Sequence, residues 1–217
     1  RSTHCISSAA SDVYKRQIQK IEMLENDDLA PLVDQEALKE FRSRALSPEH
    51  PVARGMAENP DTFFTHRESC NNYYDAVPAI VEDYMNKVSE ITGRKYGLFS
   101  YYGAADAERV IIAMGSVTEA IRETIDHLTA QGEKVGLVAV HLYRPFSAKH
   151  FLAAVPATAK TIAVLDRTKE PGANGEPLYL DVKECFYGKE NAPVIVGGRY
   201  GLGSNDTTPA QILAVYE

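Results

Sequence analysis

The fold of this chain is indicated most clearly between Val110 and Leu142, in the stretch VIIAMGSVTEAIRETIDHLTAQGEKVGLVAVHL. It begins with a short β-branched apolar run, Val110–Met114, and ends with another, Val135–Leu142. Between them, Val117–Ala130 carries apolar residues three and four positions apart, which is the period of an amphipathic helix. Two strands joined by one helix predict a parallel pair with a helical crossover.

The same alternation continues towards the end of the chain. Strands that alternate with helices predict an α/β domain, so we expect a doubly wound, mainly parallel sheet within residues 104–217. Gly97–Gly103 is interpreted as a linker before it. The further predicted strands are Thr161–Leu165 and Pro193–Val196, and the further helices are Ser147–Ala154, Leu178–Tyr187 and Pro209–Tyr216.

Residues 18–98 predict a mainly helical arm. One helix is expected near Asp34–Leu46 and a second near Val77–Thr92, with Pro78 tolerated in its first turn. The proline-rich, polar stretch Pro48–Asn72 predicts an extended excursion that packs on something else. We expect the arm to expose apolar surface on its own.

Composition narrows the functional classes. The 217 residues carry 23 basic and 30 acidic side chains, a net charge of -7, and no basic block, which argues against a nucleic-acid partner. No apolar run approaches the roughly 20 residues that span a membrane. The three cysteines form no C-x-x-C pair, so we predict no metal site in this chain and a cytoplasmic location. Residues 1–17 lack any period and are interpreted as a non-native leader or a disordered tail.

Loops that follow the strands are the places to look for a site, because open parallel sheets bind ligands beyond the carboxyl ends of their strands. Gly115 and Ser116 turn the first strand into a helix, where free N–H groups could bind an anion. The alternative is a tight turn capped by Ser116 or Thr118. Arg144, extended before Pro145, suits either a bidentate anion or a carboxylate at an inter-domain contact.

The loop Asp166–Pro177 is dense in charge, and its Arg167, Lys169 and Glu170 are candidates for a ligand or an interface, against a plainly solvated loop. The next loop, Gly197–Gly203, has the order G-x-x-G-x-G and is not a dinucleotide fingerprint, so we interpret it as a flexible connector. No known catalytic motif is present, and we assign no catalytic residue.

Several long runs resemble pyruvate:ferredoxin (flavodoxin) oxidoreductases, and the resemblance extends from Ile18 to Glu217. It is carried by IQKIE from Ile18, RALSPEHPVARGMAENPDTFF from Arg44, VEDYMNKV from Val81, HLYRPFSAKH from His141, AVLDRTKEPGANGEPLYLDV from Ala163 and APVIVGGRYGLGSNDTTPAQI from Ala192.

The resemblance implies an enzyme that decarboxylates pyruvate on thiamine diphosphate with Mg²⁺. It passes electrons through [4Fe-4S] clusters to ferredoxin or flavodoxin and transfers the acetyl group to coenzyme A. It also implies anaerobic metabolism and a homodimer. By the same resemblance, residues 18–98 would be the closing part of a pyrimidine-binding domain, residues 99–203 a transketolase-C-like α/β domain, and residues 204–217 a lead into the next domain. No cofactor-binding residue of the family maps onto this chain.

We therefore expect a fragment of such an enzyme that scaffolds and orients domains and is inactive alone. Two alternatives stay open. One is a free-standing subunit of a split 2-oxoacid oxidoreductase. The other is a non-catalytic module that binds an anion such as coenzyme A at Gly115–Ser116 or at the loop Asp166–Glu176.

Overall fold

The structure is a computed structural model that describes residues 23–52, 55 and 57–217. The described chain forms two compact units, an arm up to Tyr96 and an α/β unit from Gly97 onward. The predicted leader lies outside the described residues.

The α/β unit contains a five-stranded sheet in the order β1-β3-β2-β4-β5. Strand β1 runs antiparallel to β3, and the remaining neighbours are parallel, which confirms the predicted doubly wound, mainly parallel sheet. The strands are β1 Phe99–Gly103, β2 Arg109–Met114, β3 Val135–Val140, β4 Thr161–Asp166 and β5 Val194–Arg199.

Four helices of this unit lie close to their predicted bounds. They are α5 Val117–Ala130, α6 Ala148–Ala154, α7 Pro177–Phe186 and α8 Pro209–Tyr216. Because side chains alternate along a strand, β2 sends Ile111 towards α5 and α8 and Ile112 towards α6 and α7. Each face of the sheet therefore has its own buried core.

One prediction about the start of this unit is wrong. Gly97–Gly103 is not a linker, because residues 99–103 pair along their whole length with β3 as the edge strand β1. Residues 204–217, which the resemblance makes a lead into the next domain, also contribute to the core of this unit. Ile212 and Tyr216 of α8 are buried in the core beside α5, and the Tyr216 hydroxyl donates to the Gly136 carbonyl over 2.8 Å.

In the part of the arm that the structure describes, the helices contain no buried residue. The prediction of an extended Pro48–Asn72 is wrong for its second half, because Pro60 occupies the first turn of a helix and the next helix begins directly after Cys70. Pro78 consequently lies inside that helix and not in its first turn. The arm helices are α1 Asn26–Leu29, α2 Gln35–Ser43, α3 Pro60–Ser69 and α4 Asn71–Thr92.

Candidate functional site

The carboxyl edge of the sheet has a switch point between β2 and β4. These strands are neighbours, yet the chain leaves β2 for α5 on one face and leaves β4 for α7 on the other. Such a point is where open α/β sheets bind ligands. The predicted candidates Gly115 and Ser116 follow β2, and Arg167, Lys169 and Glu170 follow β4.

The turn after β2 is closed by local hydrogen bonds. Gly115 has a φ of +80°, which favours glycine, and its carbonyl accepts the Thr118 N–H at 3.2 Å and the Thr118 hydroxyl at 2.8 Å. Ser116 makes no capping bond with its side chain. The geometry is that of a tight strand-to-helix turn stabilised by Thr118, and a ligand at Gly115–Ser116 stays a prediction.

Tyr200 connects the ends of three strands. Its N–H donates to the Asp166 carbonyl over 3.2 Å, and its hydroxyl donates to the Met114 carbonyl over 3.3 Å. Arg167 adds a bond from Nε to the Gly201 carbonyl at 3.2 Å. Burial raises the pKa of the Tyr200 phenol. The segment Gly197–Gly203, interpreted from its sequence as a flexible connector, is thus hydrogen-bonded to the ends of β2 and β4.

Glu176 is a buried carboxylate that holds the loop after β4. It accepts the Glu170 N–H at 2.7 Å, pairs with Nε of Arg199 on β5, and has the Lys169 ammonium 3.7 Å away. Desolvation alone would raise the pKa of Glu176, but the hydrogen bonds from Arg199 and Glu170 outweigh it and the pKa is lowered.

Sequence reasoning did not single out Glu176. It is the residue before Pro177, the usual N-cap position of α7, yet its side chain makes no local cap. Its partner Arg199 lies 23 positions further along the chain, and such a pairing leaves no local pattern.

Asp166 caps α7 from a different element. Its two carboxylate oxygens accept the N–H groups of Leu178 and Tyr179, each at 3.0 Å, and the side chain is buried. Desolvation raises the pKa of Asp166, and the two backbone bonds oppose that shift. Asp166 therefore joins the end of β4 to the start of α7.

Arg144 finds its carboxylate within the same unit. Its Nη2 lies 2.7 Å from Oδ2 of Asp181 on α7, and its guanidinium stacks on the Tyr143 ring at 4.0 Å. The peptide bond before Pro145 is cis. Arg144 thus has an ion-pair partner on α7, and its role at an external anion or an inter-domain contact stays a prediction.

Lys169 and Glu170 complete the loop after β4. Besides facing Glu176, the Lys169 ammonium donates to the Glu170 carbonyl at 3.1 Å. The polar groups of Arg167, Lys169 and Glu170 thus have partners inside the unit, and a role for them at an external ligand or interface stays a prediction.

Metal and cofactor chemistry has no ligand set in the described part of the chain. No three His, Cys, Asp or Glu side chains come together there. The two buried carboxylates, Asp166 and Glu176, are each used by partners of the α/β unit. The described residues therefore offer no ligand set for a metal ion or an iron-sulfur cluster. In residues 23–52, 55 and 57–217, no helix is both long and apolar enough to cross a membrane.

Fold and carboxyl edge together define a doubly wound α/β unit preceded by a helical arm. Two protein-family models match the sequence. The family described as "Pyruvate flavodoxin/ferredoxin oxidoreductase, thiamine diP-bdg" matches residues 10–86, and the family described as "Pyruvate:ferredoxin oxidoreductase core domain II" matches residues 107–212. The chain belongs to the pyruvate:ferredoxin (flavodoxin) oxidoreductase family and corresponds to a segment of its longer members.

Relatives support the same family along almost the whole chain. The pyruvate-flavodoxin oxidoreductases of Klebsiella pneumoniae and Enterobacter agglomerans are 60% and 58% identical to it over 201 residues. The pyruvate:ferredoxin oxidoreductase of Moorella thermoacetica is 54% identical. Each alignment covers 93% of this chain, and the chain spans 17% of the length of these relatives.

Proposed function

We propose that this chain is a scaffolding segment of an enzyme that oxidatively decarboxylates pyruvate to acetyl-CoA and passes the electrons to ferredoxin or flavodoxin. The longer enzyme, called the parent enzyme below, would have the length of the relatives. Support comes from relatives named as pyruvate-flavodoxin and pyruvate:ferredoxin oxidoreductases, and from two family models that match in order along the chain.

Within the parent enzyme, residues 18–98 would be the closing part of the pyrimidine-binding domain, and residues 99–203 would form the transketolase-C-like domain. The order of the family matches, 10–86 and then 107–212, supports this division. Thiamine diphosphate, Mg²⁺ and [4Fe-4S] clusters would be bound by other segments, and the parent enzyme would be a cytoplasmic homodimer.

The scaffolding role is carried by one observation: the polar side chains at the carboxyl edge bind each other. Glu176 with Arg199, Asp166 with α7, and Arg144 with Asp181 fix the loops after β3 and β4 and the end of β5 in one arrangement. Rigid loops of this kind can present a fixed surface to neighbouring domains. The chain alone would then lack activity.

Activity assays test this proposal directly. The parent enzyme and the 217-residue chain are each given thiamine diphosphate, Mg²⁺, pyruvate, coenzyme A and ferredoxin or flavodoxin. We expect acetyl-CoA and reduced acceptor from the parent enzyme only. Turnover by the chain alone, or none by a parent enzyme loaded with cofactors, would refute the proposal.

A measurement of natural size separates the fragment from the subunit. An antibody against residues 104–217 should detect a polypeptide far heavier than 23.9 kDa in the source cells. A band at the size of this chain would favour a subunit or a binding module, and co-purifying chains would then identify its partners.

A further inference from the structure

Strand β5 is covered on only one side of the sheet. Its Ile195 packs into the core beside α7, and the Tyr179 ring lies 3.1 Å from where a Cβ on Gly197 would be. On the other side, Val194 is 64% exposed and Val196 is 47% exposed. Parallel strands are normally buried on both faces, so a layer is missing over β5.

The uncovered side of β5 is apolar, and a cavity lies at its carboxyl end. We call four exposed large apolar side chains of β5, the segment after it and α8 the β5 shelf: Val194, Val196, Leu202 and Val215. Leu202 and Val215 also line the cavity of about 350 Å³, together with the apolar Leu165 and Ile212 and the polar Arg199 and Asp206. An apolar shelf with a polar rim fits the apolar face of an amphipathic helix.

The end of α8 indicates which helix could reach the shelf. Nη1 of Arg109 donates to the Tyr216 carbonyl over 2.6 Å, so α8 ends at the row of the sheet in which Arg109, Thr161 and Val194 are aligned. Val194 is two strands from Arg109 in this row, or about 10 Å. A connection of roughly five residues covers that distance and the length of the Arg109 side chain.

We propose that the segment of the parent enzyme that follows Glu217 forms an amphipathic helix on the β5 shelf and completes the layer shared with α5 and α8. This inference rests on the proposed function, because it needs a longer chain. More than four fifths of the length of the relatives lies outside the matched segment, which leaves ample polypeptide to supply such a helix.

Cysteine labelling tests the proposal. Val196→Cys is introduced into the 217-residue chain, into a chain extended through the next helix of the parent, and into the parent enzyme. Maleimide reaction at position 196 is followed by mass mapping, which separates it from the native cysteines. We expect the extended chain and the parent to react at least roughly tenfold more slowly than the 217-residue chain. Tyr187→Cys, at an exposed position after α7, should react alike in the two shorter chains.

Other patterns of labelling would overturn the proposal. Protection in the parent enzyme only would assign the shelf to a different domain. If labelling of position 196 slows as the concentration of the 217-residue chain rises, a second copy covers the shelf. If labelling of the 217-residue chain is slow at every concentration, the chain covers its own shelf. Equal reactivity in all three would leave the shelf uncovered.

Disulfide trapping in the parent enzyme identifies the covering segment even if the extended chain does not fold. Val196→Cys is combined with single cysteines placed through the segment after Glu217, and we expect disulfides at helical spacing. Disulfides to no position there would refute the proposal. Because pyruvate turnover is measured on the same preparations, the proposed function can fail or stand independently of this result.

Discussion

At the scale of single residues, the buried carboxylate of Glu176 gives the clearest pH-dependent prediction. Its pKa in the folded chain lies below the ordinary value of 4.5, so folding favours the ionised form. The stabilisation is therefore complete above pH 4.5 and is lost as pH falls through the lowered pKa. Glu176→Gln should lower the melting temperature at pH 7, and the difference from wild type should shrink towards pH 3.

The control for this variant is Glu170→Gln in the same loop. The Glu170 side chain is exposed and faces only Thr168, with Oε1 3.4 Å from the hydroxyl. We expect little change in its melting temperature, followed by circular dichroism between pH 3 and pH 8. A pH-independent difference for Glu176→Gln would show that the charge of Glu176 is not what stabilises the loop.

The cap that Asp166 provides to α7 leads to a prediction about the stability of the α/β unit. Asp166→Ala removes the acceptor of two backbone N–H groups at the start of α7, and the free energy of unfolding should fall by about 2 kcal/mol. Asp206→Ala, at an exposed position with the same chemical change, should alter it little. Urea denaturation measures both, and equal losses would argue against the cap.

The Arg144–Asp181 ion pair leads to two predictions, one for the stability of the α/β unit and one for assembly of the parent enzyme. Its side chain is 54% exposed, so Arg144→Ala should cost the α/β unit no more than about 1 kcal/mol through Asp181. In the parent enzyme the same variant should weaken assembly, because the loop that Arg144 fixes would present its surface less rigidly. Sedimentation and turnover measure this, and unchanged dimerisation and turnover would remove the idea.

At the scale of elements, α8 shows how a terminal helix becomes part of the core. The sequence predicts its start well, because Thr208 and Gln211 form a capping box and Pro209 occupies the first turn. Where it packs depends on Ile212 and Tyr216, which are buried beside α5. No local pattern states that destination.

Truncation of the α8 side chains tests this packing. Ile212→Ala should lower the free energy of unfolding of the α/β unit by about 2–5 kcal/mol, because Ile212 is fully buried. Val215→Ala on the same helix removes a partly exposed side chain and should cost far less. Chemical denaturation compares the two, and similar small losses would mean that α8 is not needed for the core.

For the whole molecule, the exposed apolar side chains of the arm lead us to expect that the purified chain self-associates. The four helices of the arm, α1–α4, within residues 26–92, contain no buried residue, and Phe64 and Tyr73 are 72% and 78% exposed. Apolar surface of this extent favours contact with another protein surface. We expect the purified chain to self-associate and to bind a hydrophobic dye, as measured by light scattering and fluorescence.

The α/β unit produced alone, from Gly97 to Glu217, is the comparison for this prediction. It retains both cores of the sheet and should scatter less and bind less dye per molecule. A full chain that is monomeric and negative for the dye would contradict the prediction.

The sequence alone determined the alternation of strands and helices after residue 104. The helices bury one face each, and the central strands are short apolar runs buried on both faces, so both patterns are local in the sequence. Helix α5 has the predicted bounds Val117–Ala130. The runs around Arg144, Asp166 and Gly197 were long enough to identify the family, which the comparisons confirm.

The roles of the polar residues became visible only in the tertiary structure. Asp166 caps α7 from 12 positions away, Glu176 pairs with Arg199 over 23 positions, and Tyr200 reaches Met114 over 86 positions, so each contact joins two different elements. The edge strand β1 was missed for the same reason, since its pairing with β3 is a contact and not a period. Local sequence encodes the propensity of an element, whereas the partner of a buried charge or an edge strand is fixed only when the chain folds.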